Sequence, residues 1–427
     1  MKVIIIGAGL GGLTCAIACR RENLDVVVFE RSPELLPVGA GIQIPPNGAR
    51  VLQELGLMER VLKKGAIVES MDLRRYKDGR TITSMPCGET VAREYGAPWI
   101  IIHRADYQQI LFDEARSMGA EIRFGTTLED VDFEGTRVVL EGGERVAGDF
   151  IIGADGLWSK VRDTIFSRPS PPIETGDMAY RAVFPREKLE ALDDPEIDSL
   201  LKKAAVTAWL GPEKHAVFYP VRGGEEYNLV LLQPDNLPTG VHTNQGDLEE
   251  VQMGFKDWNQ MLQTLISAIP SVLKWKLCHL PELETWTRGS VTLLGDACHP
   301  TLPYQAQGAA MAIEDGLVLG MLLGSVTKRI ADLEDPNNEV LKATIRDAFI
   351  VFEDLRKART TRSVQGALRN REAFHMKDGI LQWLRDWTLS WSGMTKETDW
   401  VGLMSNRQSQ TLAHDVLIDC KRRISEA

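Results

Sequence analysis

The chain has 427 residues, 44% hydrophobic and 26% charged, with 49 Lys and Arg against 60 Asp and Glu for a net charge of −11. This is the composition of a globular protein of two or three domain-sized units, and an acidic balance without a basic patch excludes nucleic acid as a partner. The six cysteines are scattered, with no C-x-x-C and no Cys/His cluster at zinc spacing, so free thiols in a reducing, cytoplasmic setting are expected and a metal site is not.

Lys2 to Ile6 is a continuous run with β-branched residues, the pattern of a strand buried on both faces. It leads into Gly7-Ala8-Gly9-Leu10-Gly11-Gly12, then a helix over Leu13 to Arg21 and a second strand over Leu24 to Phe29 that ends at Glu30. A strand–turn–helix–strand unit with G-x-G-x-x-G and a terminal acid is the dinucleotide-binding fingerprint. Gly7 permits the tight turn, Gly9 lets a pyrophosphate approach the backbone, and Gly12 lets helix and strand pack closely. Glu30 suits ribose hydroxyls. The fingerprint alone does not separate FAD from NAD. Met1 to Leu13 lacks the basic flank and apolar core of a signal peptide.

Pro37 to Asn47 reads as a Gly/Pro loop before a helix over Gly48 to Leu55; its glycines can admit a ring system, or it is an ordinary connection. Ile101 to Tyr107 ends a strand and opens a helix to Ser117, with Arg104 at the junction available to a phosphate or to a surface salt bridge. Val138 to Val146 is a hairpin on Gly142-Gly143. Asp149 to Ile152 is a short strand, followed by Gly153-Ala154-Asp155-Gly156 and a helix opened by Ser159 to Arg162, which can present Asp155 to a ligand. Ser167 to Asp177, rich in Pro and small polar residues, reads as a domain crossing. Beyond it the pattern turns to β, with strands at Thr207 to Trp209, Ala216 to Tyr219 and Tyr227 to Leu232, and one helical stretch from Val251 to Ile269.

Ser290 to Leu294 is a buried strand ending in Gly295-Asp296. Such an end places a carboxylate at the sheet's carboxyl edge, where open α/β sheets bind ligands; an ionised Asp296 is acceptor-only and suits sugar-alcohol hydroxyls. A long apolar helix begins near Gly308-Ala309 and runs toward Gly324, and its first amides and dipole suit a ring that becomes anionic on reduction. Alone, this stretch also fits a strand, a turn and a core helix. The best membrane candidate, Gly316 to Val326, is too short to span a bilayer. Glu334 to Asn338 breaks the chain, and the tail is helical. It sets Trp383, Trp387 and Trp391 on one face, against the body or a second subunit; Arg385 and Asp386 leave no basic face for a membrane surface.

Three motifs together, G-x-G-x-x-G with Glu30, Gly153-Ala-Asp-Gly156 with Ser159 and Arg162, and Gly295-Asp296 with His299-Pro300, resemble the group A flavoprotein monooxygenases. These are single-component FAD hydroxylases of the para-hydroxybenzoate hydroxylase fold; the likeness is nearest the salicylate-hydroxylase-like branch, including fungal biosynthetic enzymes, and spans Lys2 to Gly324. It implies an α/β protein: a Rossmann-like FAD-binding domain (residues 1–75, 98–168 and 281–333), an inserted, mainly β substrate domain (76–97 and 169–280) and a helical C-terminal region (334–427). It implies FAD held at Gly7, Gly9, Gly12, Glu30, Arg31, Gly41, Gln43, Arg104, Asp155, Asp296, Gly308 and Ala309. NADPH or NADH would be a transient co-substrate without a domain of its own.

The implied reaction is hydroxylation of a phenolic or polyketide-type aromatic by O2 through a flavin hydroperoxide. Arg181 would hold a phenolate. His215 and Tyr219, at His-x-x-x-Tyr spacing, would line the pocket. Their structural alternatives are an interface salt bridge for Arg181, a loop position for His215 and cross-strand packing for Tyr219. Some members carry a polar side chain where this chain has Pro303, which offers only a carbonyl. Epoxidation of an indole by the same chemistry, or a non-catalytic dinucleotide-binding protein, are the other readings; a monomer or homodimer is expected, with no integral membrane segment.

Overall fold

The computed structural model describes residues 1–35, 39–332, 338–395 and 406–426. A six-stranded sheet runs in the order Thr287–Arg288, Val291–Leu293, Phe150–Gly153, Lys2–Ile6, Asp25–Phe29, Glu121–Arg123. Its pairs are parallel except at the Thr287–Arg288 edge. The central strands are apolar throughout because helices cover the sheet; Leu10–Arg21 and Gly308–Ala331 pack on each other within the same core. Gly308–Ala331 has 24 residues, longer than expected, and is long and apolar enough to cross a membrane. It is mostly buried, as the core helix of this domain.

The second body is an eight-stranded sheet in the order Thr243–Gln245, Leu273–His279, Ile173–Pro185, Glu226–Pro234, Lys214–Val221, Ala205–Gly211, Ser70–Arg75, Thr81–Pro86. Strand alternation divides its two faces. Met178, Tyr180, Ala182 and Phe184 meet the helices Leu248–Gly254 and Gln260–Ser267 in a separate core. Tyr219 and Val221 turn the other way, where they join Ile101 of the nucleotide-domain strand Ile100–His103. The substrate sheet therefore lies against the cofactor body along one face, and that face is where a site between the two can form.

Several local expectations change. Ser70–Arg75 belongs to the eight-stranded sheet, although the expected first nucleotide-domain segment runs to residue 75; its partner Ala205–Gly211 is too far along the chain for local pattern to reveal the pairing. Ile173–Pro185 begins inside the expected crossing, in a long strand with a bulge between Glu174 and Met178. Val251 to Ile269 is two helices, the second capped by Asn259, whose Oδ1 accepts from the Leu262 amide at 3.3 Å. The expected loop from Pro37 to Asn47 contains the strand Gly41–Ile44 and runs into a helix at Pro46; Pro37 and Val38, and the Glu334 to Asn337 break, lie outside the described residues.

The tail is helical, with Asn338–Phe374, Ile380–Thr395, Asn406–Ala413 and Val416–Glu426. Trp383, Trp387 and Trp391 are 61%, 55% and 56% exposed and stack on one another at 6.5 and 6.4 Å. Another side of that helix docks through Asp386, which meets Arg75 at 3.2 Å and is also paired with its neighbour Arg385 at 2.7 Å.

Candidate active site between the two sheets

The turn after Lys2–Ile6 is shaped by glycine. Gly7 has φ +108°, and a Cβ there would lie 2.4 Å from the Ala154 carbonyl oxygen. A Cβ on Gly12 would lie 2.1 Å from the Gly7 oxygen, so helix and turn can close only on glycine. Gly9 differs: nothing stands within 4 Å of where its Cβ would be. Gly9 caps Leu10–Arg21 without a side-chain bond, so the first helix amides face open space, an anion site by dipole and by unpaired N–H groups. Glu30 accepts from the Ala8 amide at 2.9 Å and the Ser32 amide at 2.8 Å. That pins its carboxylate at the rim with acceptor capacity left over. Arg31 is exposed.

The other end of the groove is built by Gly295–Ala297, a single 3-10 turn. Asp296 is exposed there and makes no side-chain hydrogen bond among the described residues. Surrounding protein pushes its pKa up, opposed by His299 and Arg104. Arg104, first residue of the helix Arg104–Ser117, is half-buried; burial lowers its pKa while Asp296 and Glu30 raise it. The helix that starts at Gly308-Ala309 also lacks a side-chain cap: Gln307 is turned to Asn47, at 3.0 and 3.2 Å. An unspent carboxylate, an arginine and two uncapped helix starts thus line one groove.

Three residues expected at the cofactor make contacts within the protein. Asp155 accepts from Ser159 Oγ at 2.6 Å and from the Lys160 and Val161 amides at 2.7 and 3.0 Å. Its carboxylate thus caps the start of the helix Lys160–Phe166. Gly41 meets protein: a Cβ would stand 2.4 Å from Tyr219 Cε2, so the glycine makes room for that ring. Gln43 accepts from Trp99 Nε1 at 3.2 Å.

Behind Asp296 lies a network that motif reading missed. Asp315, fully buried, accepts from the Gly295 amide at 2.9 Å, His299 Nε2 at 2.6 Å and Arg356 Nε at 2.6 Å. Glu314 accepts from Asn47 at 2.7 Å, Arg356 at 2.7 Å and Arg359 at 2.8 and 2.9 Å. These partners hold both acids below the ordinary carboxylate range despite burial. The network ties the turn bearing Asp296 to two helices. Its signal was present, two adjacent acids inside an apolar helix, but their arginine partners lie more than 40 residues away.

On the substrate face, register brings the candidates together. One row reads Val183, Asn228, Tyr219; the next reads Arg181, Val230, Val217; the third reads Ala179, Leu232, His215. His215 and Tyr219 are thus about 13 Å apart along one strand, at opposite ends of the patch. Arg181 is half-buried with its Nε sealed and unpartnered, and its guanidinium lies 5.4 Å from the Trp275 ring. Among the described residues no carboxylate pairs with it. Burial lowers its pKa, the Tyr219 hydroxyl opposes that, and Arg104 adds to it. The interface salt bridge is therefore not formed. Asn228, also missed, accepts from the Gly41 amide at 3.1 Å and leaves its Nδ2 unpaired. His215 is in a strand, not a loop, hydrogen-bonded to His375 at 2.8 Å.

Residues 1–334 match the FAD binding domain family. An FAD-dependent monooxygenase, OpS4, of Beauveria bassiana (strain ARSEF 2860) is 41% identical over 392 residues, covering 90% of this chain and 88% of that protein. The chain belongs to the FAD-dependent monooxygenases. A 3-hydroxybenzoate 6-hydroxylase of Aquipseudomonas alcaligenes is 35% identical, over 81% of this chain and 86% of its own. The crystal structure of CtdE in complex with FAD and a substrate shares the fold, with a TM-score of 0.81 at 21% identity over 100% of this chain and 98% of that one. FAD, the cofactor of this family, would find open space over Gly9 for its pyrophosphate, and the Glu30 and Asp296 carboxylates would be available to its ribose and ribitol hydroxyls.

Proposed function

We propose that this monooxygenase hydroxylates a phenolic or polyketide-type aromatic compound, using NADPH or NADH and O2. FAD, when bound, supplies the redox and oxygen chemistry; the chain supplies binding, orientation and charge. The observation that carries the reading is Arg181, a half-buried cation that pairs with no carboxylate among the described residues and lies on the sheet face turned to the cofactor groove. A cation so placed draws an anion, and a phenolate is the anionic form of an electron-rich ring. Tyr219 adds a hydroxyl that makes no hydrogen bond among the described residues, and can orient the phenolate oxygen. Arg104, the second cation acting on this space, keeps the potential positive toward the cofactor. Substrate and cofactor bound between the two sheets would displace water, which would strengthen each of these interactions.

The six cysteines are buried and free, which fits a cytoplasmic enzyme, and a monomer or homodimer is consistent with a chain that supplies its own site residues. The test is a panel of phenols, including resorcinol, salicylate and 3-hydroxybenzoate, assayed for stimulated NADH and NADPH consumption with product mass. Hydroxylated product formed in step with consumption is expected. Purified protein that binds no FAD, or that oxidises NAD(P)H equally with and without every phenol, would refute it.

A further inference from the structure

The C-terminal region, which stands outside the cofactor motifs, sends one side chain to the substrate sheet. His375, immediately after the helix Asn338–Phe374, meets His215 with 2.8 Å between His215 Nδ1 and His375 Nε2. The backbone of His375 is held on both sides, its amide to the Arg371 carbonyl and its carbonyl to the Glu213 amide, each at 3.0 Å. His215 is 2% exposed and sits among Tyr304, Phe374 and His375, with ring centroids 5.2, 5.5 and 5.0 Å away. Its Nε2 makes no hydrogen bond among the described residues, and it is not among the sealed polar atoms. His375 is only partly buried.

A latch surrounds the pair. Tyr304 donates to Asp177 at 2.8 Å, Arg371 grips the same carboxylate through both oxygens, one at 2.7 Å, and Asn370 donates to the Tyr304 carbonyl at 3.1 Å. The charged and titratable groups acting on His375 are Asp177, Arg371 and Glu213; on His215 the one that acts is His375. Asp177 raises the pKa of His375 and Arg371 lowers it. Burial lowers the pKa of both rings, His375 to about 4 and His215 well below the ordinary value, so both are neutral at pH 7. In a neutral pair one ring donates and the other accepts.

We infer that His375 is a positioning and relay residue: by accepting from His215 it fixes that ring's tautomer and connects it to solvent, giving a phenol's proton a path out of the pocket. This rests on the proposed phenol hydroxylation. With His215 Nδ1–H donating to His375 Nε2, the Nε2 of His215 is a free base. The phenol O–H bond breaks as Nε2–H forms on His215; its Nδ1–H bond breaks as Nε2–H forms on His375; the His375 Nδ1–H proton leaves to water. The products are a phenolate facing Arg181, a solvated proton and two neutral rings of inverted tautomer. No electrons move, and reprotonation of the product phenolate by the reverse path restores both rings. Pro303, exposed beside Tyr304, carries no side-chain donor that could substitute.

The experiment uses full-length, FAD-loaded enzyme and the member of the resorcinol, salicylate and 3-hydroxybenzoate panel that wild type hydroxylates. Phenolate absorbance is followed by stopped flow between pH 6.5 and 8.5. H375Q keeps a hydrogen bond to His215 but cannot take one proton while giving another. It should retain FAD and the final phenolate amplitude, form phenolate roughly tenfold or more slowly, and recover partly with added imidazole. Arg371→Met loosens only the latch and should lower thermal stability with the phenolate rate unchanged. Wild type alone gives a second measurement, a proton inventory in H2O/D2O mixtures, which should curve because several protons move together. H375Q at the wild-type rate, or a linear inventory, overturns the relay alone. Wild type that hydroxylates no phenol in the panel overturns the proposed function and the relay with it.

Discussion

Arg356→Met tests whether the buried network holds the cofactor turn. The guanidinium has no exposed surface and reaches Asp315 at 2.6 Å and Glu314 at 2.7 Å. Methionine keeps much of the aliphatic volume and removes the charge. Breaking a buried ion pair by deleting one partner costs about 3–5 kcal/mol, since the other charge is left uncompensated. Here Glu314 keeps Arg359 and Asn47, and Asp315 keeps His299 and the Gly295 amide, so the lower end, about 3 kcal/mol, is expected. That is a large part of an ordinary stability of about 5–15 kcal/mol. The sign with pH follows from both acids having depressed pKa values: the native state binds fewer protons than the unfolded one. Their stabilisation is present above the ordinary carboxylate range and is lost as pH falls through it toward the depressed values. The variant loses much of that depression, so the gap between it and wild type should narrow from pH 7 toward pH 4. Asp315→Asn added to Arg356→Met should cost less than the sum of the single changes. Urea unfolding at pH 7 and 5, with and without FAD, measures all of this. A loss below about 1 kcal/mol at pH 7, or one that grows on acidification, would refute the reasoning.

Asp296→Ala should weaken FAD binding by about 1–3 kcal/mol, the range for hydrogen bonds to a charged group, with folding intact; an unchanged affinity in a flavin titration would make Asp296 only a turn residue. Arg181→Ala should keep FAD but lose roughly a hundredfold or more in hydroxylation, with NAD(P)H consumption diverted to hydrogen peroxide. Arg181→Lys should restore only part of it, because a point charge cannot reproduce the planar fork; product formed per NAD(P)H consumed decides both. His375, with a folded pKa of about 4, is destabilising as pH falls from about 6.5 toward 4, because the unfolded state takes up the proton first. His375→Gln should therefore show a shallower fall in thermal stability over that window than wild type, by at most about 3 kcal/mol; His414, lowered to about 3, acts in the same window in both proteins and cancels in the comparison.

The cofactor half of this protein is legible in its sequence because its chemistry is local. Gly7, Gly9, Gly12 and Glu30 lie within one strand–turn–helix–strand unit, and the contacts that require glycine at 7 and 12 are made by the turn itself and by Ala154, just past the end of the neighbouring strand. Asp296 is likewise placed by the strand that carries it, so a motif suffices to find it. The candidates Arg181, Tyr219 and His215 are implied by resemblance, and no local pattern could show that Arg181 shares a face with the other two; that is a matter of register between strands tens of residues apart. Nor could it show that Asp155 spends its carboxylate on its own helix, that Ser70–Arg75 joins the other sheet, or that the three tryptophans turn outward. The Glu314–Asp315–Arg356–Arg359 network and the His215–His375 contact lie still further from local reading, since each joins residues 40 to 160 positions apart. Pairing of buried charges depends on which side chains meet once water is excluded, and only the packed chain decides that.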